Sequence, residues 1–238
     1  MSRNSDAFLT AFSHIEIFLR HRTHADAGAP FHKLVKQAAT TIAEVNRYQD
    51  DLREFAHLRN AIVHHHDGGR VIAEPHRSTV TAIGRIAEAI TNPPTVGERF
   101  KTDVVTVQVD DSISSAAAII LNKSFSQLPV VNRKKFVGLL TTNTIARWFG
   151  ACSRDLRTAA REPTVQDVLS YAEDTRSYDF IKPDITLARV IEYFSDIESR
   201  GCELSALLIA DGSETTPRFR GIITVSDLPQ IVRLLQVS

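Results

Sequence analysis

The second half of this chain repeats itself, and that repeat restricts the fold more than any other feature. Thr95-Val96-Gly97-Glu98 is answered by Thr164-Val165-Gln166-Asp167, Asp110-Asp111-Ser112-Ile113 by Asp184-Ile185-Thr186-Leu187, and Gly138-Leu139-Leu140-Thr141 by Gly221-Ile222-Ile223-Thr224. In the first copy a β-branched run at 104–109 precedes an alanine-rich helical stretch at 112–121, a strand at 128–131, the basic turn Arg133-Lys134-Lys135, a strand at 136–141 and a helix through Trp148. The second copy predicts a helix at 186–199, a strand at 206–210, a loop at 211–217, a strand at 218–224 and a final helix to Gln236. An internal duplication of one β-α-β-β-α unit accounts for both series.

The first half has a different period. Phe8, Phe12, Ile15 and Leu19 recur every three or four residues, as do Leu34, Ala38, Ile42 and Val45, so two amphipathic helices are expected, separated at Gly28-Ala29-Pro30. A third helix is predicted from Gln49 to a stop at Gly68-Gly69. A fourth follows Pro75, with Val80, Ile83, Ile86 and Ile90 on one face, and Pro93-Pro94 closes it. No alternating β pattern occurs before residue 93. The expected fold is therefore α+β in two domains: a four-helix up-and-down bundle over 1–92, then paired β-α-β-β-α units over 93–238, the first at about 95–150 and the second at about 164–238.

Charge and composition exclude several classes of function. Twenty-eight basic residues balance twenty-eight acidic ones, so no global field draws the chain to nucleic acid or an acidic membrane, and any such contact is local. Cys152 and Cys202 are too few for a disulfide framework and point to a reducing compartment. The polar start Met1 to Asp6 lacks a signal-peptide pattern, and no stretch approaches the roughly 20 apolar residues of a spanning helix. A cytoplasmic protein with no membrane partner is expected. All nine histidines fall between His14 and His76, which sets the two halves apart chemically.

The histidines lead to Leu58-Arg59-Asn60-Ala61-Ile62-Val63-His64-His65-His66. At ~100° per residue, Leu52, Phe55, Ile62 and Val63 make one stripe of the third helix, and Arg59 projects within it. A buried guanidinium costs several kcal/mol unless paired, so Arg59 either meets a carboxylate inside the bundle or opens into a cleft. Asn60 and His64 stand four apart and share another face. Consecutive helical histidines point too far apart to close on one ion, no cysteine lies nearby, and His21 and His24 lack an evident carboxylate partner, so no metal site is expected. The bland alternative is a structural ion pair for Arg59 and solvated histidines before a glycine stop.

An arginine, a polar residue and then a histidine after four intervening positions resembles the signature of the HEPN superfamily of helical bundles, and the spacing that family allows admits His64, His65 and His66 alike. The resemblance implies a dimeric domain, in many members a metal-independent ribonuclease. It would make Arg59 the group that stabilises phosphate charge, His64 the general acid or base, and Asn60 the residue that orients one of them. The superfamily also contains non-catalytic members, so fold does not settle activity.

The duplicated half, from about Thr95 to Ser238, resembles tandem CBS domains, which pair into a disc and commonly bind adenine nucleotides. The most specific segment is Gly221-Ile222-Ile223-Thr224-Val225-Ser226-Asp227-Leu228, similar to that family's ribose-phosphate motif. A strand that delivers Thr224 to a helix N-terminus suits phosphate, and a carboxylate at Asp227 can accept both ribose hydroxyls. Arg218 and Arg220 lie near enough in sequence to add charge. The plain alternative is that Asp227 only caps its helix. In the first copy Thr144 stands where the second has Asp227, and a threonine cannot chelate a diol, so at most one good nucleotide site is expected. The candidate ligand-binding residues are Thr224, Asp227, Ala206, Ile181 and Thr141.

Three functions follow from these expectations. The first is a homodimeric regulatory protein whose CBS pair senses AMP, ADP or ATP, with no required cofactor, and controls a HEPN-like domain that binds RNA. The second is an endoribonuclease using Arg59, Asn60 and His64. The third is a non-catalytic dimeric scaffold.

Overall fold

In a computed structural model, which describes residues 4–64, 66–67, 70–71, 73–152, 162–173, 177–201 and 203–237 apart from the side chains of 64–71 and 237, the spacing of the first aromatic residues becomes a packed face. Helix α1 (Asn4–Thr23) buries Phe8, Phe12, Ile15 and Leu19. Phe8 meets Phe55 edge-on, ring centroids 5.8 Å apart. Helix α2 (Phe31–Ala38) adds Leu34, Val35 and Ala38, and then stops before the expected Val45. Its end tightens into a turn in which Thr40 N–H donates to Gln37 and Thr41 N–H to Ala38, and the Thr40 hydroxyl also donates to the Gln37 carbonyl at 2.7 Å and competes with helix continuation. A short helix α3 (Ala43–Arg47) resumes, and α4 (Gln49–His64) carries Leu52, Phe55 and Ile62 into the core.

Helix α4 ends before the expected glycine stop, and Gly68 and Gly69 lie outside the described residues, as do His65 and Cys202. Two strands the sequence did not foresee follow it: β1 (His66–Asp67) and β2 (Arg70–Val71), paired antiparallel. Two-residue strands are too short to show alternation. Helix α5 (Arg77–Thr91) starts at His76, whose Nδ1 accepts from the Ser78 N–H at 3.3 Å, and it buries Ile83, Ile86 and Ile90. These helices share one core. Residues 186–193 and 229–238 belong to the same compact unit as 1–95, and Asn46 Nδ2 donates to Glu192 Oε1 within it at 3.0 Å.

The second unit comprises 96–185 and 194–228 and shows the duplication directly. Its first repeat runs α6 (Val96–Arg99), β3 (Val107–Gln108), α7 (Ile113–Lys123), β4 (Gln127–Asn132), β5 (Lys135–Thr141) and α8 (Thr142–Cys152). The second repeat, of which residues 187–193 and 229–237 lie in the first unit, runs α9 (Val165–Leu169), β6 (Tyr178–Ile181), α10 (Leu187–Ser199), β7 (Ala206–Ser213), β8 (Thr216–Ile223), a 3-10 turn (Val225–Asp227) and α11 (Leu228–Val237). In both sheets the first strand is parallel to the second and the third is antiparallel to it. Both carry a register shift at matching positions, Val130/Val131 and Ile209/Ala210.

Two strand boundaries differ from expectation. Within 104–109 only Val107 and Gln108 pair, because β-branching favours an extended chain but the ladder forms only where β4 runs alongside. The expected loop at 211–217 is instead a hairpin tip: Asp211 pairs with Arg218, Gly212 with Pro217 and Ser213 with Thr216. The tip is polar because it is exposed, so it lacks the alternation that marks a half-buried strand.

The opening segment of each repeat hydrogen-bonds to the other repeat in the same way. Leu187 N–H donates to Pro94 and Val96 N–H to Ile185, just as Ile113 N–H donates to Pro163 and Val165 N–H to Asp111. Gly97 and Gln166 complete the set, donating to Pro183 and Val109. The exchange makes neither copy complete alone. It also fixes two glycines by close approach: a Cβ at Gly97 would lie 2.8 Å from the Pro183 carbonyl, and one at Gly221 would collide with the Phe100 carbonyl.

Candidate functional site

Strand β5 ends on Thr141 and strand β8 is followed at once by Thr224, and each threonine opens a helical turn, which is where the repeat brings polar groups together. Thr224 donates both its N–H (2.8 Å) and its hydroxyl (3.1 Å) to Oδ2 of Asp227. Thr164 and Asp167 repeat this capping box at α9, both bonds at 2.9 Å. In the first copy Thr141 Oγ1 accepts from Thr144 N–H at 3.0 Å, and the two hydroxyls lie 2.9 Å apart. Thr144 is therefore the structural counterpart of Asp227, as the alignment of repeats implied, and its buried hydroxyl meets that of Thr141 as the carboxylate meets that of Thr224.

Thr141 and Thr224 line one cleft of about 650 Å³. Ser126, Tyr178, Glu203 and Ser226 line it too. Asp227, Ala206 and Ile181 are not among its described lining residues. Ala206 and Ile181 are buried in the sheet, with Ala206 in the cluster that includes Leu139 and Leu208. Both bonds to Asp227 hold Thr224, so its carboxylate is a helix cap in this structure. Arg218 and Arg220 likewise do not line the cleft, and Arg220 Nε is bound to Asp211 Oδ2 at 2.6 Å.

The described lining contains Glu173 and Glu203 and no lysine, arginine or histidine. Glu173 accepts from Asn143 Nδ2 at 2.6 Å and lies 3.4 Å from Arg147 Nη1. Close by in sequence, the Cys152 thiol and the Tyr171 hydroxyl are 3.4 Å apart, and that hydrogen bond, followed by the charge of a Cys152 thiolate, raises the Tyr171 phenol above its ordinary range.

Residues 96–151 match the family model of the CBS domain. No curated protein matches the chain. Among solved structures it is similar to CBSX2 in complex with AMP, at 16% identity and TM-score 0.44 over 60% of this chain and 98% of that one. It is also similar to the CBS domain pair of protein MJ0100 in complex with 5′-methylthioadenosine and S-adenosyl-L-methionine, at 20% identity and TM-score 0.43 over 59% of this chain and 97% of that one. A CBS domain-containing protein from Kribbella flavida is 17% identical, with TM-score 0.43 over 58% of this chain and 97% of that one.

In the helical unit, Arg59 and Asn60 line a separate cleft of about 470 Å³. Arg59 Nη1 lies 3.3 Å from Asn60 Oδ1. The guanidinium that projects from an apolar stripe thus reaches an opening. The side chain of His64 lies outside the described residues, so its distance to Arg59 is not part of this geometry. Sequence reasoning overlooked His32, Arg53 and His57, which line the same cleft. Arg53 and His57 could have been found, because they recur with Asn60 at intervals of four and three on α4. His32 could not, since only folding brings the start of α2 beside them. Among the described residues no group of three or more His, Cys, Asp or Glu could hold a metal ion, and no helix is long and apolar enough to cross a membrane.

Proposed function

We propose that this chain is a regulatory protein in which two CBS repeats form a pair, bind an adenine nucleotide or adenosine-type ligand in the shared cleft, and control the N-terminal helical unit. The observation that carries this reading is that equivalent threonines of the two repeats, Thr141 and Thr224, open into one cleft of a size that holds a small molecule. Hydroxyls from Thr224 and Ser226 and the N–H groups at the start of the following turn suit the ribose and its 5′ oxygen. Asp227 serves as a positioning residue that fixes Thr224. With Glu203 and the Arg147-paired Glu173 in the described lining, a magnesium-bound nucleotide fits better than a bare polyphosphate. Control of the helical unit requires the ligand to prefer one of two arrangements, and a homodimeric helical unit gives such a preference an output.

Calorimetry with adenosine, AMP, ADP and magnesium-ATP on the wild type and on Thr224→Val tests the reading. Heat with at least one ligand, and about a tenfold weaker affinity in the variant, is expected for one lost hydroxyl contact together with its turn. No heat with any of the four removes the proposal.

A second reading is supported by the opening of Arg59 and Asn60 into a cleft: the helical unit is a HEPN-like domain that binds RNA and cleaves it with Arg59 and His64. RNA supplies its own 2′-hydroxyl nucleophile, so a cation at the phosphate and a proton carrier suffice. Cleavage by wild type that disappears in Arg59→Ala and His64→Ala supports it, and equal activity in all three identifies a contaminant.

A further inference from the structure

The duplication supplies an internal comparison for what borders the repeat cleft. Gly138 on β5 lines it, and a Cβ there would meet only Leu169 Cδ2, at 4.0 Å. Gly221 is its counterpart on β8, and a Cβ there would collide with the Phe100 carbonyl. Leu169 and Phe100 are themselves equivalent, because Thr164 answers Thr95 in the repeat. The same position of each copy therefore faces an open cleft in one case and the protein's own backbone in the other.

The path of the chain after each short helix makes the difference. Past α9 the backbone stays coiled: Tyr171 N–H donates to Val168 and Ala172 N–H to Leu169, both at 3.0 Å. Val137, beside Gly138, is left 43% exposed and lines the cleft. Helix α6 stops one residue sooner, at Arg99, and the chain leaves it to lie against β8. Thr102, the equivalent of Tyr171, donates its N–H to the carbonyl of Arg220, the equivalent of Val137, at 2.9 Å. Phe100 anchors this segment, with its side chain buried and its N–H donating to Val96 at 2.8 Å, while Lys101 and Thr102 are exposed.

We propose that Phe100–Thr102 is an autoinhibitory strap that closes, at Gly221, the position equivalent to the one open at Gly138, so that the pair admits a ligand on one side only. The inference rests on the reading of the open cleft as a ligand site, and adds which side is shut and what shuts it. A tethered segment competes with a free ligand at a high effective concentration, so it holds its place without strong contacts. Its hold is one carbonyl against a glycine, one backbone bond and one buried ring, a set small enough to open locally while the sheet stays folded. Glycine at 221 is what admits the carbonyl, since any side chain would expel it.

Two variants of the full-length protein loosen the strap from opposite sides. Thr102→Pro removes the N–H that binds Arg220, and Gly221→Ala sets a Cβ against the Phe100 carbonyl. Hydrogen exchange in wild type needs no ligand: the Thr102 amide should exchange more slowly than that of Asp103, which has no backbone partner among the described residues. Calorimetry with adenosine, AMP, ADP and magnesium-ATP then counts sites. Wild type is expected to take one ligand per chain, and each variant one more than wild type. Lys101→Gln changes an exposed side chain of the strap but neither backbone contact, and should match wild type. Circular dichroism verifies folding, and because the two changes lie on different segments, either variant decides the matter if the other unfolds. An unprotected Thr102 amide, two ligands per chain in wild type, or no added site in a folded variant overturns the proposal. The reading of the open cleft fails on a different result, the absence of heat from wild type with any of the four ligands.

Discussion

Replacing Asp227 by alanine distinguishes a helix cap from a ligand group. In the folded chain its Oδ2 accepts from both the N–H and the hydroxyl of Thr224. Removing a capping partner costs about 1 kcal/mol, and removing a negative charge from a helix start costs about 0.3–1 kcal/mol more. The expected destabilisation is therefore about 1–2 kcal/mol. For a chain of this size each kcal/mol lowers Tm by about 2–4 °C, so a fall of about 2–8 °C is predicted. With an m-value of about 2 kcal/mol/M, the urea midpoint of the transition that includes β8 should fall by about 0.5–1 M with the slope unchanged. Asp227→Asn keeps an acceptor and should lose about half as much. Ligand affinity, measured alongside, should fall less than tenfold, because Asp227 acts through Thr224. Wild-type stability together with abolished binding would refute the reasoning, since it would place the carboxylate on the ligand.

Two further outcomes follow from local geometry. Gly221→Ala should destabilise by about 1–3 kcal/mol, because the added Cβ meets the Phe100 carbonyl, a backbone atom that cannot move cheaply. Its counterpart Gly138→Ala has only Leu169 Cδ2 at 4.0 Å and should stay within about 0.5 kcal/mol of wild type by the same urea assay. In an ultraviolet titration Tyr171 should ionise above the ordinary tyrosine range, and Cys152→Ala should bring it back down, because the thiol bond and the thiolate charge both favour the protonated phenol. Since the folded pKa is raised, the associated stability is complete below the unfolded value near 10 and disappears as pH rises through the folded one. An unchanged Tyr171 titration in Cys152→Ala would refute the assignment.

The sequence by itself determined the elements. Residues repeating every three or four positions placed α1, α4 and α5, and the matching of Gly138-Leu139-Leu140-Thr141 with Gly221-Ile222-Ile223-Thr224 placed two equivalent strands, because burying one face imposes a period on local sequence. It also paired Thr144 with Asp227 before any coordinates did. Polar composition misled at the 211–217 hairpin, where paired strands stand in solvent and need no apolar alternation. Only the tertiary structure decided which residues share a cleft. Thr141 and Thr224 are far apart in the chain and line one cleft because β5 packs beside β8, a contact with no local signature. The motif likewise could not say whether Asp227 would face a ligand or its own helix, since both roles ask for a carboxylate three residues after a threonine. His32 joins Arg53, His57 and Arg59 only when α2 packs against α4, and the charge of a cleft is a sum over such distant contributors. Periodicity is a property of neighbours along the chain, whereas a binding site is a property of neighbours in space.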